Sequence, residues 1–452
     1  MQDQKATQIT EGVIWKQLLI FFFPILFGTF FQQLYNTADA VIVGRFVGKE
    51  ALSAVGGSTA TIINVLIGFF MGLSSGATVI ISQYYGAKRG DMVAKAVHTV
   101  FAFCILGGVI LISIGIPLAP AILRAMGTPE DVLPLSITYI RIFFAGTIAN
   151  LIYNMGAGIL RAVGDSRRPL YFLIISCFVN IILDLLFVMV FQMGVAGAAW
   201  ATILSQLFCA VLVVAALMRT RDMHHLELRR IGLNRDTLIK ILQFGFPAGL
   251  QSMMYSVSNL LIQAKVNALG TDTVAAWTAY GKIDSMFWMI VSAFGISVTT
   301  FVGQNYGAGK MDRVHKGVKT CLVMTFATTF LLSFLLYFWG GYCYQLFTTD
   351  PAVTQSGIEI LKFLTPIYFT YVLIEILSGT LRGTGDCWIP TIICCLGICV
   401  LRVLWLTFAV PLHNTIFTIS FSYPLTWVVT STAFLIYYRF FSKIQRERKA
   451  RI

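Results

Sequence analysis

Apolar residues run in blocks of roughly 20 or more along almost the whole chain, and short stretches carrying Gly, Pro, Asn, Asp or basic residues separate them. A helical block of that length matches the ~30 Å hydrocarbon core of a bilayer. Twelve helices are predicted, at 17–43, 52–82, 93–120, 134–160, 170–190, 195–218, 238–266, 274–302, 315–339, 357–380, 389–411 and 414–438. The first block has no short apolar core followed by a small-residue cleavage site. It continues through Pro24 into polar positions, so it reads as a retained membrane helix rather than a signal peptide. Little chain remains for a domain outside the membrane.

Composition agrees with the pattern. Of 452 residues, 57% are apolar and only 12% charged, against about a quarter charged in a soluble domain. The net charge of +13 raises the question of nucleic acid, but the placement of the basic residues answers it. Lys5, Lys16, Lys88, Arg89, Lys95, Arg161, Arg167, Arg168, Lys310, Arg313, Lys316, Lys319 and Arg382 fall in alternate connections, with six more between Arg219 and Lys240 and six from Arg439 on. The other connections keep Arg45, Lys49, Arg124 and Lys265. This asymmetry is the positive-inside pattern: an even helix count in the plasma membrane, both termini cytoplasmic, and no nucleic-acid partner. The basic tail 441–452 suits contact with anionic lipid. The nine cysteines lie mostly in apolar helices with no zinc-like spacing, as expected of small buried hydrophobes.

The chain also repeats itself. Gln83, Tyr85, Gly86, Ala87, Asp91, Lys95, Val97 and Thr99 recur 221 residues later as Gln304, Tyr306, Gly307, Ala308, Asp312, Lys316, Val318 and Thr320. At the same offset Leu160, Arg161, Gly164, Asp165 and Pro169 recur as Leu381, Arg382, Gly385, Asp386 and Pro390, and Phe23-Pro24 recurs as Phe246-Pro247 at 223. The expected architecture is an all-α membrane protein with two homologous six-helix lobes, 1–218 and 238–440, a cytoplasmic basic linker 219–237 and the tail 441–452. An even number of helices per repeat relates the lobes by an axis along the membrane normal, with a central cleft as the substrate path. His224 and His225 read as solvated linker residues. Gly86 and Gly307 are expected to end helices in the left-handed conformation, and Asp91 and Asp312 to cap the next ones. Gly164 and Gly385 end helices too, with Arg161 and Arg382 at helix C-termini and Pro169 and Pro390 in first turns.

Carboxylates at membrane depth are costly, at least ~2.5 kcal/mol each on insertion scales, so each needs a partner or a task. Asp39, Asp184, Asp284 and Glu375 are the candidates. Asp184 follows Asn180 by one helical turn, so the two share a face of helix 5. Asp39 shares helix 1 with Pro24, where the missing N–H allows a bend. Two carboxylates brought together in low dielectric need a proton or a cation between them; the alternative is a structural interhelical hydrogen bond.

These residues together resemble the multidrug and toxic compound extrusion (MATE) transporters over nearly the whole chain. The resemblance rests on DAVIVG at 39–44, the paired SQYYGA and GQNYGA loops, the paired RAVGD and RGTGD loops, and Asn180 with Asp184. It implies a cation site at Asp39, Asn180, Asp184 and Thr202, with Tyr139 beside it, taking H⁺ or Na⁺ and no other metal or cofactor. It also implies a bend of helix 1 at Pro24 that helps expel substrate. The chain departs from the sodium-coupled branch with a glutamate on helix 7, since 238–266 contains no acid. Asp284, Trp288, Met253, Glu375 and Arg402 are candidates for the substrate cavity, and Glu375 with Arg402 also reads as a structural pair across helices 10 and 11.

The function expected is a monomeric, cation-coupled antiporter that exports drugs or amphiphilic or cationic organic metabolites by alternating access. The rival is a lipid-linked oligosaccharide flippase of the same superfamily, which would present a more cationic cavity than Arg141, Lys282, Lys362 and Arg402 supply. No HExxH, GxSxG or phosphate-binding loop is present, which argues against an intramembrane enzyme or an ATPase.

Overall fold

The computed structural model describes residues 9–345 and 350–449; Lys5 and residues 450–452 of the basic tail lie outside the described residues. Helix 1 is Ile14–Phe46. Helix 2, Ser58–Gly86, follows a short helix Lys49–Gly56, and helix 3 is Gly90–Ala125. Helix 4 is the pair Leu133–Ala145 and Thr147–Ala162. Helix 5, Arg167–Asp184, runs on as a π turn Leu185–Val190, and helix 6 is Gly194–Arg219. In the second half, helix 7 is Arg235–Asn267, helix 8 Thr271–Gly307 and helix 9 Met311–Gln345. Helix 10 joins Pro351–Leu364 to Tyr368–Gly383. Helix 11 runs Trp388–Phe408 with a π turn Cys395–Val400, and helix 12 is Ile416–Ser420 plus Ser422–Phe440.

Ten of these runs are long and apolar enough to cross a bilayer, and helix 4, bent by 51°, is an eleventh. Helix 7 is the twelfth: its 33 residues reach about 50 Å. Gln251, Ser252, Ser256, Ser258 and Asn259 keep its mean hydropathy low. The twelve predicted helices are therefore all present.

Several breaks depart from the predicted pattern. The block predicted at 52–82 divides at Gly57, where an added Cβ would meet the Ser53 carbonyl at 2.6 Å, and 134–160 divides at Gly146, which faces Ile203 with no room for a side chain. Gly86 and Gly307 remain helical; the left-handed residues lie two positions on, at Lys88 (φ 55°) and Gly309 (φ 70°), again 221 apart. Asp91 and Asp312 occupy first turns rather than caps, where their charge complements the helix dipole. Gly164 (φ 105°) and Gly385 (φ 84°) are left-handed as expected, and Arg161 and Arg382 sit in last turns. Asp165 Oδ1 accepts from the backbone N–H groups of Arg167 and Arg168 and so caps helix 5.

The described chain forms two compact units, Phe23–Gly249 and Ile9–Phe22 with Leu250 onward, so helices 1 and 7 are each divided beside a proline. Within the N-terminal unit, Gly72 and Gly76 of helix 2 lie against Gly249 and Gly245 of helix 7 so closely that a Cβ on Gly72 would fall 2.2 Å from the Gly249 nitrogen. Small residues four apart on both helices permit this backbone approach. Within the C-terminal unit, Phe22 stacks on Phe294 at 4.0 Å. The Arg313 guanidinium donates there to the carbonyls of Ile9, Glu11 and Gly12.

The linker is docked at Asp222, Glu227 and Asn234. Tyr85 Oη donates to Asp222 Oδ2 at 2.8 Å, the Glu227 N–H donates to His98 Nε2 at 3.1 Å and the Asn234 N–H to Thr99 Oγ1 at 3.3 Å. His224 is buried with Nδ1 3.5 Å from Asp222, which corrects the solvated reading. The His224 ring, with the Met223 N–H and Tyr85 hydroxyl behind it, holds the Asp222 carboxyl down at about 2 against the opposing effect of burial. Asp222 therefore stabilises the docked linker above the ordinary carboxylate range, and that contribution fades as pH falls through about 2. Asp222→Ala removes an acceptor shared by these groups. At about 1–1.5 kcal/mol it should speed tryptic cleavage at the exposed Arg229 and Arg230 roughly tenfold in solubilised protein. Unchanged cleavage would mean that the linker is held elsewhere.

Candidate functional site

In the N-terminal unit three helices bring the predicted polar residues together. Asp39 projects from helix 1, Asn180 and Asp184 from one face of helix 5, and Thr202 from helix 6; all four are at least nine-tenths buried. Thr202 Oγ1 lies 3.3 Å from Asp39 Oδ2 and 3.0 Å from its own Ala198 carbonyl, so one hydroxyl proton serves two acceptors. Asp184 lies directly against Asp39, and Tyr139 of helix 4 sits beside Thr202 and Asp39. Both carboxylate oxygens of Asp184, Oδ1 of Asp39 and both amide atoms of Asn180 are buried without a hydrogen-bond partner. Among the described residues neither aspartate forms an ion pair. Asp184 is the last residue before the π turn of helix 5, a local irregularity often found at working sites.

An array of carboxylate, amide and hydroxyl oxygens around two adjacent acids can do one of two things. It can share a proton between the carboxylates or accept a hard cation through oxygen. Either would engage orphaned oxygens of the array; the Asn180 amide N–H is a donor and needs an acceptor of its own.

One turn along from Asp39 a small, partly open pocket is lined by Gln32, Tyr35, Asn150, Asn154, Ser176 and Gln206 among others. Amide groups bridge it: Asn154 donates to Asn150 Oδ1 (2.9 Å), Asn150 to Gln206 Oε1 (2.8 Å), and Gln206 to Tyr35 Oη (3.5 Å). This relay lies outside the predicted site. Its signal in the sequence is an Asn pair one turn apart together with amides inside apolar blocks.

The C-terminal unit holds a different arrangement. Asp284 of helix 8 accepts from Tyr368 Oη and from Trp288 Nε1, both at 2.6 Å, and Tyr280 Oη, 3.2 Å away, shares its proton between Asp284 and Tyr368. Phe287 stacks on Tyr368 at 4.1 Å, and Trp427 packs on Tyr368, Tyr371 and Trp288. Glu375 and Arg402 do not pair. Glu375 takes Arg382, seven residues along its own helix, at 3.9 Å and Tyr371 Oη at 3.4 Å. Arg402 bonds Asn259 and Ser258 of helix 7. Met253 is exposed on helix 7, away from the Asp284 cluster's hydrogen bonds.

The MatE family model matches residues 24–186 and 247–408, once in each half. The chain belongs to the MATE family. MATE relatives in Bacillus subtilis (strain 168) are the probable multidrug resistance proteins YoeA and YpnP. The first is 30% identical over 402 residues, 87% of this chain and 86% of YoeA, and the second 31% over 384 residues, 84% and 85%. Among solved structures, an outward-facing multidrug resistance MATE transporter of the MOP superfamily superposes with a TM-score of 0.89 at 22% identity, covering 99% of this chain and all of that one. MATE membership makes this a multi-pass transporter in a bilayer and not an enzyme, and it does not favour the flippase reading.

Replacing Asp284 tests the second MATE cluster. Asp284→Leu leaves the Tyr280, Tyr368 and Trp288 donors without their acceptor and should cost about 1–3 kcal/mol, with Asp284→Asn milder, read as thermal unfolding of purified protein. A wild-type melting curve for Asp284→Leu would show that the aromatic packing holds this region unaided.

Proposed function

We propose that this MATE protein is a cation-coupled antiporter that exports drugs or amphiphilic or cationic organic metabolites by alternating access, with Asp39 and Asp184 as the coupling pair. The observation that carries this reading is the pair itself: two adjacent buried carboxylates, three of whose four oxygens accept no hydrogen bond while the fourth faces one neutral hydroxyl. Such a pair changes its charge whenever a proton or cation enters or leaves, and that change is what an ion gradient can act upon. Asn180 and Thr202 would contribute oxygens to the ion, Tyr139 would orient Thr202, and the Tyr35–Gln206–Asn150 relay would hydrate its approach. A charge change at Asp39 would shift helix 1 about Pro24. The basic connections favour the plasma membrane with both termini cytoplasmic. The compact lobes built within one chain favour a monomer.

One cation moving down 100 mV releases about 2.3 kcal/mol, enough for roughly a forty-fold substrate gradient. In vesicles loaded with a fluorescent organic cation, a pH gradient and a Na⁺ gradient imposed separately should identify the ion. Asp39→Asn and Asp184→Asn should each lower gradient-driven transport more than tenfold at normal expression, a loss of about 1.4 kcal/mol or more. Full transport by both variants would sink the assignment.

A further inference from the structure

We propose that Arg402 is a specificity-determining oxyanion contact in the C-terminal unit for those transported amphiphiles that bear a carboxylate or phosphate-type group. This rests on the export reading above.

Arg402 lies on helix 11 six residues before its end at Phe408, and it is only 3% exposed. A guanidinium at that depth ordinarily has a carboxylate partner. Among the described residues it has none. Nη1 donates to Asn259 Oδ1 at 3.0 Å and to Ser258 Oγ at 3.4 Å, both neutral, and Nε is buried with no partner. The other face of the guanidinium covers the Tyr423 ring at 4.5 Å. The membrane-depth acids of the same unit are engaged elsewhere, Asp284 by Tyr368 and Trp288 and Glu375 by Arg382 and Tyr371.

Nη1 is thus pinned while the Nε–Nη2 edge is unclaimed. That edge is the two-donor face with which arginine binds a planar oxyanion side-on. Aromatic rings pack behind the guanidinium. From Tyr423 the aromatic rings continue to Trp427 at 5.4 Å and on to Trp288 at 6.2 Å, whose indole N–H ends on Asp284. Trp277 bridges Tyr423 and Tyr280 along a second edge. Aromatic packing therefore backs the guanidinium, and Asp284 at its far end is already filled by its own donors. A lipid headgroup phosphate offers the same oxyanion chemistry from the bilayer.

The test uses the purified full-length protein and a matched probe pair, an aromatic amine bearing a carboxylate and its methyl ester, with binding read by quenching of tryptophan fluorescence. Arg402→Gln should lower the carboxylate-to-ester affinity ratio about tenfold, the scale of one charge-assisted contact, and Arg402→Lys should lower it less. Arg402→Lys keeps the buried charge and so supplies the readout if the glutamine variant does not fold. An unchanged ratio in both variants overturns the proposal and makes Arg402 a packing residue on Tyr423. Titration with phosphatidylglycerol against phosphatidylcholine separates the sources: competition by the anionic lipid that Arg402→Gln removes assigns the oxyanion to a headgroup, and its absence assigns it to the substrate. If wild-type protein binds the probes yet vesicles export neither under any gradient, the export reading fails while the oxyanion site stands.

Discussion

Two carboxylates side by side in a low-dielectric interior repel each other unless something positive comes between them, and Asp39 with Asp184 is such a pair. The residues around them do little to remove the conflict. Thr202 offers part of one proton, and among the described residues no basic side chain forms an ion pair with either carboxyl. A structural pair would be expected to have its acceptors filled, because a half-satisfied buried network costs more than an apolar one. Asp284 shows what a filled acceptor looks like in the same chain, with two donors at 2.6 Å and a third shared. The contrast is between a carboxylate whose acceptors are filled and a pair whose acceptors mostly are not.

The duplication sharpens that contrast. At the offset that aligns the repeated loops, Asn180, Asp184, Thr202 and Tyr139 fall on Leu401, Trp405, Tyr423 and Ile360, and at the offset that aligns the two prolines Asp39 falls on Ile262. In the other direction Asp284, Glu375 and Arg402 fall on Ile63, Asn154 and Ile181. What both halves retain is the scaffold: left-handed residues at Lys88 and Gly309 and at Gly164 and Gly385, and arginines at 161 and 382. What differs is each half's polar interior. Turn geometry is needed wherever the chain reverses, whereas a buried ionisable group is tolerable only where it has a task, so the two sets of residues diverge independently.

Much of this is legible in the sequence because the bilayer imposes a simple code. Length and apolarity mark the helices, the repeated loops mark the halves, and the one-turn spacing of Asn180 and Asp184 places both on one face of helix 5. The departures share a cause: each depends on a neighbour that local pattern does not reveal. Helix 4 bends at Gly146 because Ile203 occupies the space a side chain would need, and helix 2 starts late because Gly57 packs on the Ser53 carbonyl. His224 reads as solvated because the linker around it is polar, yet Tyr85, His98 and Thr99, more than a hundred residues away, hold parts of that linker. Glu375 and Arg402 carry opposite charges on neighbouring helices, but Arg382 stands two turns away on the glutamate's own helix and takes it first.

Pro24 and its counterpart Pro247 stand in different surroundings. Neither proline can supply the N–H that a continuous helix needs at its position, so both helices are weakened there by similar amounts. Their surroundings differ. The part of helix 7 around Pro247 lies backbone to backbone on helix 2 through Gly245 and Gly249, and a rotation there would drive main-chain atoms together at once. Beside Pro24, Phe22 stacks on Phe294, a side-chain contact worth about 0.5–1.5 kcal/mol rather than a main-chain one. Asp39 lies fifteen residues beyond Pro24 on the same helix, while the equivalent position beyond Pro247 is Ile262. Helix 1 thus carries both a ring-to-ring contact beside its proline and the buried carboxylate of Asp39, whereas helix 7 carries a backbone-to-backbone contact and, at the matching position, Ile262.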